Sequence, residues 1–219
     1  MNPLAAYRQM RPIGIDLAAD IHPERWRAAG IDEPGQANLA ACPRARATLS
    51  GCLDWLFGPE ASADGNFSDW IGALAEKPGE WALRPGAELW RAGRCLGAGR
   101  LRHEIARLVR RGDVADFKSA VGEDAYLFAL RQAPMIWRGA PAPGPETEMD
   151  SPLADRALSA AGWGLGCWLA SLPPGLSRRA RAKLPISRDP EFMEAASWPG
   201  PRQDAWRAEL GKVFQWIHN

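Results

Sequence analysis

Apolar positions in this chain recur at helical spacing, and no stretch alternates with period two for long enough to predict a strand. Pro3, Pro12, Pro23 and Pro34 limit the first 35 residues to short helices around Ile15–Ala19 and Pro23–Ala29. Arg44–Phe57 reads as a helix with Leu49, Cys52, Leu53, Leu56 and Phe57 on one side, ended by Gly58-Pro59. Ser68 then caps a short helix carrying Trp70, Ile71 and Leu74. The longest helical tract runs from Gly86 to Arg111, on Leu89, Trp90, Leu96, Leu101, Ile105, Leu108 and Val109. Gly97-Ala98-Gly99 inside it predicts a kink or a close backbone approach.

Downstream, Asp113 is the expected cap of a helix that buries Val114, Phe117 and Val121 and breaks at Gly122. Glu123–Ala133 continues as a helix through Tyr126, Leu127 and Leu130, with Pro134 as its stop. Residues 139–152 (GAPAPGPETEMDSP) form a Pro/Gly-rich loop. The 16 residues Ala157–Leu172 carry no charge, which is short of the roughly 20 a membrane span needs. They read as a buried helix, Leu153–Leu172, followed by a basic helix Leu176–Leu184 striped by Leu176, Ala180 and Leu184. Residues 185–201 read as irregular, and Arg202–His218 as an amphipathic helix on Trp206, Leu210, Val213, Phe214 and Ile217. The predicted architecture is an all-α, irregular multi-helix globular bundle with little or no sheet. It is one domain, 1–219, with sub-lobes 1–138 and 151–219 on either side of the 139–152 loop.

Composition narrows the function more than it shapes the fold. A net charge of +1 argues against wholesale condensation onto nucleic acid or an anionic membrane, so any such binding must come from a local patch. Cys42, Cys52, Cys95 and Cys167 form no CxxC pair, predicting neither a disulfide framework nor a zinc site, and no cofactor motif is present. No signal-peptide core opens the chain, so a cytoplasmic protein is expected. His103 lies on a charged helix face, His218 is penultimate, and His22 sits in the run Ile21-His22-Pro23-Glu24-Arg25-Trp26. Three histidines and no phosphate loop or nucleophile elbow argue against an enzyme.

Arginine carries the remaining signal. Arg100, Arg102, Arg107, Arg110 and Arg111 lie on one tract, and Arg178, Arg179, Arg181 and Lys183 on another. Such forks suit carboxylates or phosphates. Without interleaved stacking aromatics, an acidic protein surface is favoured over nucleic acid. The alternative is a helical nucleic-acid-binding or regulatory protein that uses these faces.

Three stretches resemble the K subunit of type III secretion systems, the SctK/YscK group of sorting-platform proteins. They are Pro12–Trp26 (PIGIDLAADIHPERW), the tract around Leu89 to Arg107 beginning LWRAGRCLGAGRLRHEI, and Ala157–Pro185 with its Trp-Leu-Ala ending, proline break and basic helix. Order and spacing agree over most of the chain, which departs in the long 139–152 loop and in Asp20, where an aromatic is expected. The resemblance implies a non-enzymatic adaptor at the cytoplasmic face of the inner membrane. It would link the platform pods, built on the Q subunit, to the cytoplasmic domain of the ring-forming D subunit. Through the pods it would reach the L subunit and the secretion ATPase, with no direct membrane insertion. Candidate contact residues are Ile21, His22, Pro23 and Trp26, then Arg100, Arg107, Arg110 and Arg111, and Arg178, Arg179 and Arg181.

Overall fold

Among the described residues, prolines start helices more often than they stop them. The computed structural model describes residues 20–42, 44–45, 77–137 and 151–218. The helices expected at Ile15–Ala19, over most of Arg44–Phe57 and after Ser68 fall outside those residues, as does the loop at 139–152 apart from Ser151 and Pro152. Among the described residues the regular structure is entirely helical: twelve α-helices and one short 3-10 turn. The fold is all-α.

Besides a short helix that begins Lys77-Pro78, six helices carry proline in the first two positions. They are α1 (Pro23–Ala28), α2 (Glu33–Ala41), α8 (Ala133–Ile136), α10 (Pro174–Ala182), α11 (Asp189–Ala196) and α12 (Gly200–Ile217). An N-terminal N–H has no intrahelical acceptor, so a ring that removes it there costs nothing and presets φ. Two of these helices differ from the expectation: α2 has Pro34, one of the prolines expected to break the first 35 residues, at its start, and α11 lies in the stretch 185–201 expected to be irregular. In α2 the signal was complete, since the Asp32 side chain accepts from the Gly35 N–H at 2.8 Å as an N-cap.

The remaining helices are α3 (Lys77–Trp81), α4 (Gly86–Arg100), α5 (Arg102–Ile105), α6 (Arg111–Val121), α7 (Glu123–Arg131) and α9 (Leu153–Leu169). The expected single tract 86–111 is therefore two helices and a turn. Its glycines do not kink it. A Cβ on Gly97 would collide with the Ala157 carbonyl group, so this glycine lets α4 and α9 lie backbone to backbone. Asp113 does not cap α6; the cap position is Arg110, and Asp113 sits in the first turn, where a carboxylate favours the helix dipole. Gly122, at φ +106°, joins α6 to α7. The face of α7 that is buried is Ala125, Phe128 and Ala129, rotated from the expected Tyr126, Leu127 and Leu130.

The chain divides into two compact units, 1–89 with 169–187 and 90–168 with 188–219. In the first, Leu176, Ala180 and Leu184 are buried as the stripe predicted, together with Ile21, Trp26, Leu89 and Leu172. In the second, every residue of α9 from Ala160 to Trp168 is buried. Trp163, Trp198 and Trp206 meet there with ring centroids 5.5–6.3 Å apart. Such tilted and edge-on contacts add to the area those rings bury. The Trp163 indole N–H donates to Glu194 at 2.8 Å, so the one polar atom of that buried ring is satisfied.

Candidate partner-binding site

The N-terminal candidates Ile21, His22, Pro23 and Trp26 belong to a clamp inside the first unit rather than to an open patch. Ile21 and Trp26 are buried. The His22 backbone N–H donates to the Ala182 carbonyl at 3.0 Å, and its Nδ1 accepts from the Glu24 N–H at 3.3 Å as the cap of α1. Burial lowers the His22 imidazole below its ordinary value, which suits this accepting, neutral ring. Pro23 is exposed and opens α1.

Two buried cations complete the clamp. Arg25, 2% exposed, donates from Nε to the carbonyl oxygens of Arg181 at 3.0 Å and Leu184 at 2.9 Å. Those carbonyls sit at the C-terminal end of α10, where a helix needs donors and favours positive charge. Lys183, 3% exposed, pairs with Asp20 at 2.8 Å and donates to the carbonyls of Ala82 and Arg84 at 3.3 and 3.0 Å. Asp20 in turn accepts from the Gly86 N–H at 3.2 Å, and Glu24 from the Ser187 N–H at 3.0 Å. A buried ammonium is tolerable only with this full set of acceptors. The aspartate that departs from the resemblance is thus the counter-charge of a buried lysine.

The basic helix α10 does not offer the cationic face that its sequence implies. Lys183 is buried, while Arg178, Arg179 and Arg181 are half-buried and engaged with other groups. Arg100 also leaves the surface set. Its side chain is 7% exposed, pairs with Glu209, and stacks over the Trp206 ring at 3.7 Å. Burial lowers the pKa of Arg100, with Glu209 opposing the shift. Arg102 is buried as well.

What remains is the turn between α5 and α6. Arg107, Arg110 and Arg111 are exposed there, without an ion pair to any described residue. Val109, expected in the core, is 90% exposed between them. The Arg107 and Leu108 N–H groups bond back to Glu104 and Ile105, closing the turn on the end of α5. Glu104 is itself fixed by a two-pronged ion pair with Arg156 of α9, at 2.6 and 2.8 Å. Ile105 is buried beneath it. The arginine turn is therefore carried on an anchored stem. Val109 is misplaced by periodicity because positions 105, 108 and 109 satisfy the helical period; Gly112-Asp113, in the first turn of the next helix, is the counter-signal.

Elsewhere among the described residues no cluster of histidine, cysteine, aspartate and glutamate could hold a metal ion. Cys42, Cys95 and Cys167 are free thiols, the first exposed and the others buried. Burial pushes Cys95 and Cys167 up to about 12, which makes them inert. No described helix is long and apolar enough to cross a membrane. No family model, curated protein or solved structure matches the chain.

Proposed function

We propose that this protein is a non-enzymatic helical adaptor of a type III secretion injectisome, bridging the Q subunit of the sorting platform and the cytoplasmic domain of the inner-membrane ring D subunit. One observation carries the reading. An all-α frame holds three guanidinium groups with no ion pair to a described residue, and an exposed valine, on a turn anchored by the Arg156–Glu104 pair. An adaptor needs recognition groups presented outward on a fixed stem, since little ordering entropy is then lost on binding. The family resemblance supplies the identity of the partners, and the K-subunit role supplies the place of action, peripheral to the membrane through protein contacts.

The test is co-expression with the Q subunit, and separately with the D-subunit cytoplasmic domain, followed by affinity purification and light scattering at moderate salt. The adaptor reading expects a complex of defined mass with at least one of them. Elution of the folded protein alone in both cases overturns it.

A further inference from the structure

The turn from Ala106 to Arg111 combines features that choose among partners. Three guanidinium groups with no ion-pair partner among the described residues surround one aliphatic side chain that is 90% exposed. Two carboxylates, Asp113 and Asp116, stand exposed on the first turns of the helix that follows. No aromatic ring lies in the turn.

A polyanion such as a duplex or an anionic bilayer presents negative charge on all sides, so it would meet Asp113 and Asp116 as well as the arginines. A nucleic acid also offers Val109 little apolar surface, and the turn offers its bases no stacking platform. A protein segment can place carboxylates opposite the three arginines and an apolar side chain opposite Val109, leaving the aspartates outside the contact. Arginine suits that task because its fork takes a carboxylate bidentately.

Resting on the adaptor reading, we propose that the 106–111 turn is the docking site for an acidic segment of a partner protein, with an apolar side chain set among its carboxylates to cover Val109. Charge complementarity supplies orientation and encounter rate, and the valine contact supplies the desolvated centre.

The experiment uses the full chain in its native host, with a photo-crosslinking amino acid at position 109. The crosslinked species is digested and its partner peptide sequenced. A control places the same residue at the exposed position Met193. The expected result is a protein adduct whose crosslinked segment is rich in Asp or Glu, reduced at least about tenfold by Arg107→Glu/Arg110→Glu/Arg111→Glu. Should the reversal disturb folding, judged by its unfolding midpoint, Arg107→Gln/Arg110→Gln/Arg111→Gln serves instead, with the same direction expected. A lipid or nucleic-acid adduct, a segment without carboxylates, insensitivity to the substitutions, or a yield no higher than at position 193 overturns the proposal. Failure of the adaptor reading is separable. Wild-type protein that ignores both the Q and D subunits yet crosslinks to another acidic segment ends that reading and leaves the docking site standing. Complexes with either subunit that survive the arginine substitutions do the reverse.

Discussion

Segment 20–28 packed on 181–187 and the turn 106–111 both concentrate cationic side chains, and they treat them in opposite ways. In the first, Arg25 and Lys183 are almost wholly buried and their donors end on backbone carbonyls and Asp20. In the second, Arg107, Arg110 and Arg111 lie in water with no ion pair to a described residue. Arginine content alone therefore says little about where a partner binds. A buried cation with every donor satisfied is part of the folding free energy. An exposed one held on a fixed stem adds little to stability and remains available to a partner.

The comparison breaks most readily at Lys183. Lys183→Met removes a buried charge and strands Asp20 and two carbonyls, and should lower unfolding free energy by about 3–4 kcal/mol, read as a fall in urea midpoint with unchanged slope. Arg25→Ala should cost about 3 kcal/mol in the same assay, because the carbonyls of Arg181 and Leu184 lose the Nε donor they share. Similar stability for either variant and wild type would mean the clamp is ornamental.

A pH-dependent effect sharpens the second unit, which carries the turn. Cys95 and Cys167 titrate near 12 in the folded state, above the ordinary thiol value near 9. A raised folded pKa contributes stability that is complete below the unfolded value and is lost as pH climbs through the folded one. Unfolding free energy should accordingly fall between about pH 9 and pH 12, and this part of the fall should vanish in Cys95→Ser/Cys167→Ser. Peptide mapping after treatment with a thiol reagent at neutral pH should find Cys42 modified and Cys95 and Cys167 protected. Rapid labelling of either buried thiol would mean that the second unit opens readily.

Much of this was readable from residues, and the failures share causes. The stripe Leu176, Ala180 and Leu184 follows from periodicity and the buried run in α9 from its lack of charge, because nothing competes with a long apolar face. Helix α2 is hidden by Pro34, which breaks a helix interior but suits its start, and α11 lies in a stretch whose prolines and few apolar residues read as irregular. The extent of the 86–111 tract was overestimated because periodicity cannot see a turn that preserves phase, and Val109 was misplaced with it. The candidate contacts failed for a different reason. Whether Arg100 faces water depends on Glu209 and Trp206, more than a hundred residues away, and whether Lys183 does depends on Asp20. Local sequence holds no record of such pairings.

The most direct measurement is urea unfolding of Arg107→Gln/Arg110→Gln/Arg111→Gln beside Arg25→Ala. The account predicts that neutralising the three arginines of the turn changes unfolding free energy by no more than about 0.5 kcal/mol, while removing one guanidinium from the clamp costs several times as much. A loss of stability in the triple variant equal to that of Arg25→Ala would show that the turn arginines hold the fold together, and the case for a docking surface there would collapse.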